Sequence, residues 1–376
     1  MKAIINGKIV KQDGIIDNKV LLFDEKIIDI CDEVPNDCEV IDANGMYISP
    51  GLIDIHVHGS NGSDTMDDND DAIPTISKAL CKNGVTSFLP TTMTMDKENI
   101  YKAFDRIKIE MEKSVGGARV LGAHMEGPFI NLKYKGAQNP EFIVKPTYNF
   151  VEKYIDAIKI ISYAPEVDTD FSFTKDIKEK SDTTLSICHT NCSYELGKKY
   201  VDMGVSNITH LFNAMTPLNH REPGIVGLAL MTDVYCELIA DKIHVNKDIF
   251  QFVLKTKGKD RVILITDCMR AGCMKDGEYD LGGQKVIVKD NAARLESGSL
   301  AGSVLSLNQA IYNFYENTDL ELYETIQLAS LNPARSINVD GRKGSLEIGK
   351  DADIAIFDEN MNCYLTIVEG QLVYKK

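Results

Sequence analysis

Residues 50–59 read PGLIDIHVHG, an apolar run that ends in two histidines, His56 and His58, with one residue between them. In a β-strand the side chains at i and i+2 share a face, so both imidazoles should aim at one point. Histidine is the commonest metal ligand, and a strand gives it a rigid base, so the pair reads as half of a coordination shell. A chance His-x-His is common, and on this pair alone two core-satisfied histidines are an equal reading. The chain has only seven histidines in 376 residues. Any further ligands must come from the remaining segments.

Seven more apolar runs follow: GVTSFLPTT (84–92), ARVLGAHMEG (118–127), IKIISYAPE (158–166), TTLSICHTN (183–191), SNITHLFNA (206–214), VYCELIADKIHV (234–245) and RVILITDCM (261–269). Helical spacing lies between them. Ile100, Ala103, Phe104, Ile107 and Met111 fall on one face, as do Leu307, Ala310, Ile311 and Phe314, and Gly84 reads as a helix stop. Strands alternating with helices imply parallel strands joined by crossovers. Eight such units predict an α/β chain whose main unit is a (β/α)8 TIM barrel.

The two ends have a different texture. KAIINGKIV (2–10), KVLLFDEKIIDI (19–30) and CEVIDANGMYI (38–48) are short strands separated by turn residues, and residues 344–376 repeat that pattern. The expected organisation is a small β-sandwich assembled from residues 1–48 and 344–376, beside a barrel spanning 49–343. Residues 276–298 read as a β-hairpin inserted where a helix is due, placed to cover the barrel mouth.

Composition narrows the function classes. With 44% hydrophobic and 26% charged residues the chain can build a core. A net charge of −15 without a Lys/Arg stripe argues against nucleic acid as a partner. No apolar run approaches the ~18 residues of a membrane span and the N-terminus lacks an apolar leader, so the expectation is a cytoplasmic protein with no membrane partner. Nine cysteines without a C-x-x-C pair read as reduced thiols. Cys188 and Cys268 adjoin His189 and Asp267, but neighbouring strand residues face opposite ways, so both read as core fillers.

Barrel active sites lie at the C-terminal ends of the strands. Five of the eight runs end in metal-ligand types: His56 and His58, then Glu126, His189, His210 and Asp267. Singly each is more simply a cap or a satisfied polar group; together on one rim they read as a site. Four imidazoles and two carboxylates exceed what one tetrahedral zinc needs, whereas two divalent ions would use all six. Such a site makes water nucleophilic near neutral pH and polarises a substrate oxygen, which is hydrolase chemistry. Asp267 is then also the candidate general acid/base.

PGLIDIHVHG, the strand-end His, His and Asp residues, and the terminal GSLEIGKDADIAIFD resemble the amidohydrolase superfamily over essentially the whole chain. GAHMEGPFINLKYKGAQNPEFI (122–143), THLFNAM (209–215), REPGIVG (221–227), ITDCM (265–269) and SLAGSVLSLNQA (299–310) resemble its N-acetylglucosamine-6-phosphate deacetylase branch. The resemblance implies a metal-dependent hydrolase that releases acetate from N-acetylglucosamine 6-phosphate. Glu126, His189 and His210 match the principal metal ligands and Asp267 the catalytic acid/base. Ala137, Gln138, Asn213, Ala214, Arg221, His244, Leu300, Ala301 and Gly302 fall on substrate-binding motifs, with Arg221 and His244 assigned to the phosphate. The resemblance implies a homodimer, or a higher homo-oligomer, in which one or both of these cations could reach across from the partner subunit.

Three departures stand out. Some relatives lack the His-x-His pair and use one metal, whereas this chain keeps it, so two ions per subunit are expected, of zinc, iron, manganese or cobalt. Gln138 stands where some relatives carry a carbonyl-polarising histidine, and Lys242 where glycine is frequent. Of the other histidines, His124 reads as a satisfied core residue beside Glu126, and His220 as an exposed loop residue. Competing readings are the 4-epimer, N-acetylgalactosamine 6-phosphate; a cyclic amidase or dipeptidase, disfavoured because the strand that holds a carboxylated lysine in such enzymes ends here in Glu126; and a non-catalytic scaffold, disfavoured because no ligand is missing.

Overall fold

The computed structural model describes residues Met1–Lys376. Each of the eight apolar runs forms a parallel strand: β1 (Leu52–Val57), β2 (Val85–Pro90), β3 (Ala123–Glu126), β4 (Ile158–Tyr163), β5 (Thr184–Ile187), β6 (Asn207–Ile208), β7 (Tyr235–Ile239) and β8 (Val262–Ile265). Strands β3 to β8 make one continuous parallel sheet in sequence order. β1 pairs with β2, and β2 pairs with a short strand, Arg119–Val120, that leads into β3. Two bridges close the ring, Thr91 with His124 and Val57 with Cys268. The Asp267 N–H donates to His56 O across the second seam at 2.9 Å. All residues of β1, β2, β3, β5 and β8 are buried, as expected for parallel strands covered on both faces.

The crossover helices follow the sequence signals. Lys97–Glu112 starts at Asp96, whose carboxylate accepts the Asn99 N–H, and buries Ile100, Ala103, Phe104 and Ile107. Helix Ala72–Cys81 ends ahead of Gly84, which takes φ +80°. The β3–β4 crossover departs from the helical expectation. Residues 127–157 hold only 3-10 turns and the one-turn helix Tyr148–Val151, because Pro128, Pro140 and Pro146 interrupt any helical ladder. This irregular segment runs over the strand ends and supplies one wall of the site.

After β8 the expected hairpin is a three-stranded antiparallel sheet, Gly277–Leu281, Gln284–Lys289 and Ala292–Leu295. Its apolar face, with Leu281, Val286, Val288 and Ala293, packs on Met93 and Met269 of the rim.

The terminal strands form two sheets. One is Ile27–Cys31, Val20–Phe23, Lys2–Ile5 and Glu39–Asp42; the other joins both chain ends, with Ile354–Phe357 antiparallel to Tyr47–Pro50. Ile4, Leu21, Phe23 and Ile27 from the first share one apolar cluster with Ile9, Ile48, Ile354, Ile356 and Leu365 from the second. Tyr47–Pro50 runs across position 48/49 and feeds β1 with one residue between.

A buried ion network ties these sheets to the barrel. Lys343, with no exposed side-chain surface, places Nζ 2.7 Å from Asp353 and 3.0 Å from Asp351. Glu369, from the C-terminal hairpin, pairs with Arg119 at the foot of β3.

Candidate metal centre and active site

The six predicted ligand residues meet at the C-terminal end of the barrel. Glu126 is the hub. His210 Nε2 lies 3.1 Å and His189 Nε2 3.4 Å from its Oε1, and His58 Nε2 lies 3.3 Å from its Oε2. His56 Nε2 is 3.6 Å from Glu126 and 3.5 Å from Asp267, and His58 Nε2 is 3.2 Å from Asp267. The donors form two overlapping groups, His56, His58 and Glu126 on one side and Glu126, His189 and His210 on the other.

The backbone is strained to achieve this. His189, His210 and Asp267, each just past a strand end, take φ of 41°, 33° and 49°. Such left-handed conformations cost non-glycine residues roughly 1–3 kcal/mol each and persist where the surroundings impose them. The turn aims the side chains inward.

Three of the four opposite ring nitrogens are tethered, and His210 Nδ1 is buried without a partner. His58 Nδ1 donates to Thr91 O at 3.2 Å, His189 Nδ1 to Tyr134 O at 2.8 Å, and His56 Nδ1 lies 3.0 Å from Glu237 Oε2. A nitrogen facing a carbonyl must carry the proton, which leaves Nε2 with its lone pair toward the centre.

This donor set fits divalent cations. His56 Nε2 is buried with no hydrogen-bond partner, between two carboxylates, and a buried ring nitrogen left without a partner is costly unless something binds it. The electrostatics agree. Burial opposes charge on His56, yet Asp267, Glu126 and Glu237 outweigh it and push its pKa up to about 9, and His58 is raised well above its ordinary value for the same reason. Against burial, the imidazoles hold Glu126 well below the usual carboxylate range and bring Asp267 down to about 2. The cluster demands positive charge, which protons or a divalent cation can supply.

Above the cluster lies a cavity of about 560 Å³. His58, Glu126, His189, His210 and Asp267 line it, together with Ala137, Gln138, Asn213, Ala214, His244, Leu300 and Gly302. Two of the sequence-assigned residues, Ala301 and Arg221, lie outside this cavity, and Gln138 enters it with a bond at each end of its amide. Ala301 is fully buried in the apolar cluster beneath the inserted sheet, because alternation along Leu300–Gly302 turns its methyl away from the cavity. Arg221 is exposed and lines a neighbouring cavity that meets the first at Lys133 and Tyr134. Gln138 reaches the cavity with both amide ends engaged, Nε2 donating to Glu126 at 2.7 Å and Oε1 accepting the Thr94 N–H at 2.7 Å. It braces Glu126 through one of the two N–H groups of its amide.

The remaining expectations also find places. His124 donates from Nδ1 to Ile55 O at 2.8 Å and meets Ser162 Oγ at 2.6 Å through Nε2. Burial keeps it neutral, well below its ordinary pKa. His220 is exposed. Lys242 is exposed at φ +68°, a conformation that suits glycine. Lys242→Gly should therefore raise stability by about 0.5–1 kcal/mol without changing activity, as read by thermal unfolding; a loss of activity would place Lys242 in the binding site.

Sequence reasoning missed Lys133, Tyr134, Arg294 and Ser299 on the cavity wall, and Glu237 behind His56. Lys133 and Tyr134 lie inside the 122–143 motif. Arg294 carries no local signal at all, since only the folding of the inserted sheet brings it to the rim.

Comparisons with known proteins follow this geometry. The model of the amidohydrolase family matches residues 47–373. N-acetylglucosamine-6-phosphate deacetylase of Bacillus subtilis (strain 168) is 37% identical over 97% of this chain and 95% of its own length. N-acetylgalactosamine-6-phosphate deacetylase of Escherichia coli O157:H7 is 33% identical, with 97% of each chain covered. The crystal structure of N-acetylglucosamine-6-phosphate deacetylase from Thermotoga maritima superposes with a TM-score of 0.90 at 31% identity over the full length of both chains. A metal-ligand cluster at the strand ends of a parallel ring, matched to these relatives over nearly every residue, places the chain in the amidohydrolase family, beside its sugar-phosphate deacetylases.

Proposed function

We propose that this chain hydrolyses the acetamide of N-acetylglucosamine 6-phosphate to acetate and glucosamine 6-phosphate, acting on a phosphorylated amino sugar in amino-sugar catabolism or recycling. The observation that carries this is the convergence of four imidazoles and two carboxylates, all but the buried His56 lining the floor of one cavity, beneath a wall that holds His244. Residues 49–343 are the catalytic unit, and 1–48 with 344–376 form the β-sandwich beside it. His56, His58, Glu126, His189, His210 and Asp267 would hold two divalent ions per chain, and their nitrogen and oxygen donors suit zinc, iron, manganese or cobalt. Bound there, such ions polarise the acetamide carbonyl and make water nucleophilic near neutral pH.

The chain's own groups do the rest. Asp267, a carboxylate held ionised by the imidazoles beside it, would take the proton of the attacking water. It then delivers that proton to the leaving nitrogen, so that the amine departs neutral. Gln138 and the backbone tethers hold Glu126 and the imidazoles in place while this happens. His244 has its Nδ1 2.6 Å from Asp241 Oδ2, which leaves Nε2 available to a phosphate. Arg221, outside this chain's cavity, would serve the site of a second copy in a homodimer. All nine thiols are free, which suits the cytoplasm.

His244→Ala should lower kcat/KM for the 6-phosphate by roughly 10–100-fold, the loss of one charge-assisted hydrogen bond, and leave the slow reaction of the free sugar unchanged. The test is acetate release from the 6-phosphates of N-acetylglucosamine and N-acetylgalactosamine and from both free sugars. The gluco 6-phosphate should lead. Equal rates on phosphorylated and free sugars would refute the phosphate assignment, and a faster galacto epimer would replace the substrate.

A further inference from the structure

We propose that Glu237 is a positioning residue for metal binding: its carboxylate fixes His56 so that Nε2 faces the Glu126–Asp267 edge, and so creates the second of the two cation positions. The inference rests on the two-ion reading above and adds the residue that makes the second position possible.

Glu237 sits in the middle of β7, in the sequence YCELI, and is fully buried. A carboxylate in that position costs several kcal/mol of desolvation relative to an apolar residue. Its side chain has one hydrogen-bond partner, His56 Nδ1 at 3.0 Å from Oε2, and Oε1 has none. The carboxylate therefore serves His56 alone.

His58 and His189 are tethered by the backbone carbonyls of Thr91 and Tyr134, which any sequence would supply. His56 depends on a side chain for the same service. A carboxylate acceptor fixes the tautomer more firmly than a carbonyl, and it strengthens Nε2 as a ligand by pulling on the Nδ1 proton.

An alternative use of the same atoms is ruled out by their bonding. His56, His124 and Glu237 lie close enough to hold a cation themselves, but both His124 nitrogens are engaged, by Ile55 O and Ser162 Oγ. His124 instead packs its ring at 4.5 Å from that of His56, at an interplanar angle of 66°. His56 and Glu237 are the hydrogen-bonded pair beneath the cluster, and the His124 ring packs against it.

The test uses full-length protein as wild type, Glu237→Leu and Glu237→Gln, titrated with zinc alone and read by metal analysis, thermal unfolding and the histidine N–H resonances of the zinc-loaded form. Wild type should bind two ions per chain and show a downfield Nδ1–H signal for His56. Glu237→Leu should keep the ion at Glu126, His189 and His210, bind the other about 10–100-fold more weakly, and lose that signal. Glu237→Gln matches Glu in shape and can still accept through its amide oxygen, so it should keep the signal and lose less than about tenfold in affinity; this isosteric variant keeps the test decisive if the leucine variant folds poorly. Two ions bound by Glu237→Leu as tightly as by wild type, or equal weakening of both, overturns the role of Glu237 with the two-ion reading intact. One ion in wild type overturns the two-ion reading and this role with it.

Discussion

Asp267→Asn should cut kcat for acetate release from N-acetylglucosamine 6-phosphate by about 10²–10⁴-fold, the range for loss of a positioned acid/base group. The asparagine matches aspartate in shape, so the left-handed turn at φ 49° and the lining of the cavity should persist, and KM should change little. An amide cannot take a proton from water and pass it to the amine. Asp267 is at once a candidate ligand and the proton carrier, and metal analysis separates the two roles. A variant that keeps its ions and loses turnover assigns the proton transfer to Asp267, whereas one that loses ions and turnover in parallel assigns the loss to ligation. Turnover within about threefold of wild type would refute both.

The second large effect concerns stability. Lys343→Met should destabilise the fold by about 3–5 kcal/mol near neutral pH, because it leaves Asp353 and Asp351 without the cation buried between them. The sign of the pH dependence follows from the shifts. Burial raises Asp353 above its ordinary 3.8, and Lys343 opposes that rise; against burial, Lys26 and Lys343 hold Asp351 below 3.8, and Arg119 and Lys343 hold Glu369 below 4.5. In wild type the depressed pair stabilises fully above the ordinary carboxylate range and loses that contribution as pH falls through the lower folded values. Without Lys343, Asp353 rises further and gains its proton as pH falls toward 4. The deficit of the variant should therefore be largest at pH 7 and shrink on acidification. Urea unfolding at pH 7 and pH 4.5 reads this directly, and a deficit that grows toward acid would contradict it.

Much of the site could be read in the chain because parallel strands buried on both faces announce themselves as apolar runs, and a polar residue ending such a run stands out. His56, His58, Glu126, His189, His210 and Asp267 were visible for that reason. The closure of the ring was not, since it depends on two isolated bridges between residues beyond the regular strands. The β3–β4 crossover misled because its prolines break a helix without saying where the chain goes next. Glu237 escaped notice because it lies inside a run, where a charged residue looks like an interruption. Arg221 and Ala301 matched motifs by position, but their burial and facing are decided by loops whose course no local pattern encodes. Gln138 was legible as a departure; that it braces Glu126 emerged only from the Thr94 contact at its other end.

The central claim is that the cluster around Glu126 hydrolyses the acetamide of a phosphorylated amino sugar with divalent ions. It is tested most directly by acetate release from N-acetylglucosamine 6-phosphate before chelation, after chelation, and after titration with zinc, iron, manganese or cobalt, with bound metal counted at each step. The account predicts that activity disappears on chelation and returns in proportion to ion uptake, reaching its maximum at two per chain. Undiminished acetate release from protein stripped of metal would contradict it.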